Sequence, residues 1–175
     1  FDKDRSDRST YKLLGGSIGF YGSTLNTRQY ATKGYLEKLI AQVFTGRERF
    51  EPGNPQEGYS PSPQERQSWL QISYMKEAYH TMGPKFTLGW MAEALYSSKN
   101  FSENYTATMM QAGEFAPTPH SKLMYNEAFR ANQYVAAGIK PIYVLNDMFQ
   151  FRTEFYGFTP IFPIKKNALN KAYYG

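Results

Sequence analysis

Residues 13–23 read LLGGSIGFYGS, and within them Gly15, Ser17 and Gly19 fall in the pattern G-x-S-x-G. That spacing suits a serine nucleophile on a sharp strand-to-helix turn, where small residues permit the strained backbone. The chemistry needs a base and an orienting acid. His80 and His120 are the only histidines, and neither has a flanking acid. Asp147 is the sole aspartate after Asp7. A helix should also start directly after Ser17, yet Ile18, Gly19, Phe20, Tyr21 and Gly22 make a poor helix start. They suit a continuing strand, with Ile18 and Phe20 on one face and Gly19 and Tyr21 on the other. The spacing therefore predicts a glycine-rich strand, and a serine hydrolase using Ser17 stands third among the readings. No catalytic residue is assigned. The two histidines stand apart without clustered carboxylates, so neither a metal site nor a cofactor is expected.

A second group of residues could do electrostatic work. Residues 147–158, DMFQFRTEFYGF, put Phe149, Phe151, Thr153 and Phe155 on one face and Gln150, Arg152, Glu154 and Tyr156 on the other. Met148 belongs with that second face. Arg152 and Glu154 are close enough to pair. Together with Arg130 they are the candidates for a polar cluster on an inward face.

The elements that would position these groups are long alternating strands. Residues 85–98, KFTLGWMAEALYSS, place Phe86, Leu88, Trp90, Ala92, Ala94 and Tyr96 on a wholly apolar face. Ten steps of strand cover about 34 Å. At a tilt of about 45° the height is about 24 Å, which matches the roughly 25 Å apolar band of a membrane barrel. Strands of soluble proteins are shorter, about five or six residues. Leu70, Ile72 and Tyr74 alternate in the preceding segment, and Gly83-Pro84 marks a tight turn, so residues 68–98 predict one long hairpin. Residues 103–111, ENYTATMMQ, alternate as well and are expected to be a strand. Residues 35–44, YLEKLIAQVF, carry Leu36, Leu39, Ile40 and Val43 at helical spacing, but the strand-like neighbours favour a strand. Proline-rich stretches at 46–66 and 113–122 predict loops, with Gly46 to Gly53 as a strand end and turn.

Composition bounds the class. The 175 residues suffice for one domain with a core, and the absence of cysteine excludes a disulfide frame and thiolate metal sites. Aromatic residues make up 17% of the chain, while the mean hydropathy is −0.60. No apolar run reaches the roughly 20 residues of a membrane helix. Alternating barrel strands average to just such a polar hydropathy. The net charge of +5 is scattered, so nucleic acid is not an expected partner. The charged opening FDKDRSDRST contains no signal peptide, so the chain is expected to be cytosolic, already processed, or part of something longer.

Several phrases, in order, carry a resemblance: FTGRERFEPGNP, FSENYTATMMQAGEFAPTPHSK, FRANQYVAAGIKPI and FRTEFYGFTPI. From about Tyr35 to Ile164 the chain resembles the C-terminal, bacterial-surface-antigen-like barrel region of patatin-like phospholipases of Gram-negative bacteria. The resemblance implies an all-β, antiparallel up-and-down transmembrane β-barrel. Here it would be partial, a single segment over 1–175 with about eight long strands and long loops at one end. It implies a location in the bacterial outer membrane and a missing N-terminal hydrolase domain that holds the family's catalytic serine and aspartate. This chain would then not be an enzyme. Its partners would be membrane lipids, its own hydrolase domain and, for a lone segment, a further copy. Phe86, Leu88, Trp90, Tyr96, Phe149, Phe151 and Phe155 would face lipid, and Arg130, Arg152 and Glu154 the lumen. The alternative reading is a soluble β-barrel or sandwich that carries an apolar ligand.

Overall fold

The structure is a computed structural model that describes residues 7–53, 65–146, 149–168 and 170–174. It is built around one antiparallel sheet. The strands are β1 (Arg8–Ser23), β2 (Gly34–Glu51), β3 (Glu65–Thr81) and β4 (Phe86–Ser97), followed after a long excursion by β7 (Gln133–Val144), β8 (Gln150–Arg152) and β9 (Phe155–Pro160). Each pairs with its sequence neighbour in an up-and-down order, and β8 and β9 share the far side of β7. No strand among the described residues joins β1 to β8 or β9, so the sheet is open there.

Length is the first distinguishing feature. The 18 residues of β2 extend for about 58 Å. Residues 35–44 lie within β2, as the neighbouring strands suggested. Their helical spacing loses because both flanks of β2 are hydrogen-bonded, to β1 and to β3. The hairpin over 68–98 forms as expected, with its turn after Thr81. At the β1–β2 turn Gly34 has φ +93, and a side chain there would collide with the Thr24 carbonyl.

The break between β8 and β9 has a local cause. Ile142 pairs with Arg152 and Ile139 with Phe155, so both strands keep one register on β7. Between them Thr153 donates to the Pro141 carbonyl at 3.1 Å. Pro141 has no N–H to return, so the ladder lapses there.

The excursion from Ser98 to Asn132 folds back over one face of the sheet. It contains helix α1 (Tyr105–Gln111) and two two-residue strands, β5 (Gly113–Glu114) and β6 (Arg130–Ala131). The expectation of a strand at 103–111 is corrected by α1. Asn104 caps this helix by accepting from the Ala107 N–H, and Thr108 and Met109 are buried. A last small ribbon pairs β10 (Ile164–Lys166) with β11 (Ala172–Tyr174).

The core lies between the excursion and the sheet. Phe115 is buried against Met91, Leu95, Ala131, Tyr134 and Ala136, with Met75, Tyr156 and Phe158 packed alongside. Its ring lies 5.8 Å from that of Phe158 and 6.3 Å from that of Tyr134. The covered face is called the inner face below and the opposite one the outer face.

Candidate functional site

Period-two alternation sorts the side chains of the sheet by chemistry. On β7, Tyr134, Ala136, Gly138, Lys140 and Ile142 are buried on the inner face, while Val135, Ala137, Ile139 and Tyr143 are exposed on the outer one. The register carries the same division onto the neighbours. Glu93 and Met91 of β4, and Glu77, Tyr79 and Met75 of β3, share the inner face.

The inner face carries a lane of charges that are nearly all partnered. Lys140 lies 2.7 Å from Glu77, with both side chains largely buried. Tyr79 donates its hydroxyl to Glu77 as well. Arg152 lies 3.4 Å from Glu154, which also accepts from the Tyr156 hydroxyl at 2.7 Å. The Tyr134 hydroxyl donates to Glu93 at 2.5 Å. Two glycines make room for the rings. A side chain at Gly89 would collide with the ring of Tyr79, and one at Gly138 with that of Tyr156. Burial of a charge demands such partners, since an unpaired buried ion costs several kcal/mol.

Arg152 also reaches across to the β1–β2 loop. One guanidinium nitrogen donates to the Ala31 carbonyl at 2.6 Å, and the group lies over the rings of Tyr30 and Tyr79. Its Nε is buried without a hydrogen-bond partner.

A second cluster sits towards the other end of the strands. Glu48 accepts from Tyr11 at 2.8 Å and from Ser102. Lys99 is buried over the rings of Trp69, at 4.9 Å, and Tyr11, at 5.5 Å. Burial pushes its ammonium down from its ordinary value to about 8, against the smaller opposing pull of Glu48.

The three residues expected to form one cluster are divided. Arg152 and Glu154 pair on the inner face. Arg130 lies in the excursion and pairs with Glu114 at 2.5 Å. It also donates to the carbonyls of Met109, Met110 and Ala112, and so closes the C-terminal end of α1. Its place is a helix end rather than the Arg152 pair. The sequence reading missed Lys140, Glu77, Tyr79 and Glu93. The available signal was their alternation with apolar neighbours, as in Lys140 between Ile139 and Pro141.

The outer face differs in kind. Ile18 and Phe20 of β1, Leu39 and Val43 of β2, and Val135 and Ile139 of β7 are all exposed on this face. Of the expected lipid-facing residues, Phe86, Tyr96, Phe149, Phe151 and Phe155 are exposed, and Leu88 and Trp90 are half-buried. Phe151 is 67% exposed. None of them belongs to the buried core around Phe115. A polar interruption is tied up: Lys76 lies 3.8 Å from Glu37, which accepts from the Tyr74 hydroxyl at 2.6 Å.

Ser17 lies in the middle of β1, which runs on to Ser23. The strand–turn–helix geometry of a nucleophile elbow is not formed there. Asp147 and Met148 lie outside the described residues. Among the described residues no three metal-binding side chains cluster, and no helix is long and apolar enough to cross a membrane.

A cavity of about 810 Å³ opens between the inner face, the β1–β2 loop and residues 116–122. No protein-family model matches the chain, and no curated protein or solved structure matches it either.

Proposed function

We propose that this chain is a portion of an outer-membrane β-barrel that anchors or exports a patatin-like phospholipase domain. One observation carries the reading. Apolar side chains cover the outer face of long strands and stay exposed, while the buried charges collect on the inner face. Water-soluble sheets bury their apolar face, whereas lipid inverts that preference. Contiguous exposed apolar surface on this scale needs a cover, and hydrocarbon is the cover that fits strands of this length.

In this reading the inner face lines a lumen that the excursion partly fills. The phospholipase link rests on the sequence resemblance alone, and so do the outer-membrane location and the tethered hydrolase domain. The chain itself would do mechanical rather than catalytic work. Bilayers do not tolerate unpaired strand edges, so the edges of β1 and of β8 and β9 would be paired in the membrane, by further strands or by another copy.

Detergent refolding followed by flotation with lipid vesicles tests the proposal. A membrane barrel floats with the vesicles and changes gel mobility on boiling. A chain that stays in solution without detergent and ignores the vesicles would instead be a soluble carrier.

A further inference from the structure

We infer that the cavity on the inner face binds a singly charged, single-chain amphiphilic anion of the fatty carboxylate class. The inference goes beyond the anchoring role and does not depend on it. At about 810 Å³ the cavity lies within the range of small-molecule sites.

Its charges do not balance. Arg28, Lys122, Lys140 and Arg152 line it, against the carboxylates of Glu77, Glu93 and Glu154. Four cations against three carboxylates leave one positive charge over. Lys140 and Arg152 are committed to Glu77 and Glu154. Arg28 and Lys122 are exposed and form no ion pair among the described residues. A second sign of a missing acceptor is Arg152, whose side chain is 10% exposed and whose Nε is buried without a partner. Such a group is costly to leave unmade. A carboxylate is the acceptor that guanidinium and ammonium groups bind best.

Apolar side chains line the cavity alongside Gln29, Thr118, His120 and Gln150. Met75 and Met91 line the cavity from the sheet, and Leu25, Pro117 and Pro119 from the loops. Methionine adapts its shape to a flexible chain. Every carboxylate on the sheet side already holds a hydroxyl or a cation. A ligand rich in donors would therefore find no uncommitted carboxylate on the sheet side, whereas an acyl chain needs none.

The test is photolabelling of the full chain with a palmitate analogue that carries a mid-chain diazirine. Adducts should appear at Met75, Met91 or Leu25 and be displaced by excess palmitate but not by hexadecanol. Replacing both surface cations, Arg28→Glu with Lys122→Glu, should lower that labelling about tenfold, the worth of one charged hydrogen bond. Both side chains are exposed, so the fold survives their loss, and unchanged labelling of outer-face residues serves as the control. Adducts confined to outer-face residues such as Ile18 and Val135, equal displacement by hexadecanol, unchanged labelling in the double variant, or no labelling at all would each overturn the inference.

Discussion

The two ends of the sheet differ in what covers them. On β7 the excursion lies over the inner face, and the strand alternates strictly between buried and exposed. On β1 the excursion reaches the inner face at Tyr11, but both faces are open from Lys12 to Tyr21. The side chains left bare on the inner side of β1 are Leu13, Gly15, Ser17, Gly19 and Tyr21, small or amphipathic except for Leu13. On the outer side β1 is as apolar as β7, with Leu14, Ile18 and Phe20 matching Val135 and Ile139. The inner face is therefore organised locally, by whichever segment covers it. The outer face carries an apolar band from β1 to β7, and Lys12, Arg47 and Arg49 on that side of β1 and β2 gather beyond one end of the band.

The largest expected effect breaks the covered end. Phe115→Ala removes the ring at the centre of the core and should cost about 3–5 kcal/mol in urea unfolding. At the bare end Tyr21→Ala should stay below about 1 kcal/mol, because that ring is exposed. Comparable losses at both positions would mean that the two ends are equally buried.

The charge lane sharpens the contrast next. Lys140→Met leaves Glu77 buried without its cation and should cost about 3 kcal/mol. Adding Glu77→Gln removes that stranded charge, keeps an acceptor for Tyr79, and should recover most of the loss. A double variant no better than the single one would show that the pair is not coupled.

Lys99 gives a smaller, pH-dependent effect. Its ammonium is held at about 8 against an ordinary value of 10.5, so burial opposes the charged form. Between those values the unfolded chain binds more protons than the folded one, and stability rises with pH. The penalty is present in full below about pH 8 and fades towards pH 10.5. The melting temperature of the protein relative to Lys99→Met should therefore climb between pH 8 and 10. A flat difference would mean that the amine is solvated.

The smallest effect is at Ser17, whose side chain makes no hydrogen bond among the described residues on its exposed strand. Ser17→Ala should shift the unfolding free energy by less than about 0.5 kcal/mol. It should also leave any esterase activity of the chain unchanged, and abolition of such activity would revive the hydrolase reading.

Much of the sheet was legible because alternation is a local signal. The apolar face of Phe86, Leu88, Trp90 and Tyr96 is set by β4 alone, and the strand follows from it. Helix α1 was not legible by that rule, since Tyr105, Ala107 and Met109 alternate as a strand would. The better clue was Asn104, whose side chain caps the first turn. The charged site was legible only within one strand. Arg152 and Glu154 are two residues apart and could be paired by eye. Lys140 and Glu77 are separated by 63 residues, and only the order of strands brings them together. Arg130 was grouped wrongly for the same reason, because its partner Glu114 lies across the β5–β6 ribbon.

The chain has two tryptophans, one on each face: Trp69 is buried on the inner side and Trp90 lies on the outer side. Single-tryptophan variants, Trp69→Phe and Trp90→Phe, refolded into vesicles of dibrominated phosphatidylcholine, report on each face separately. The account predicts strong quenching of Trp90 by the brominated chains and little quenching of Trp69. Equal quenching of the two, or a Trp90 that responds to aqueous iodide and not to the lipid, would contradict a hydrocarbon-facing outer surface.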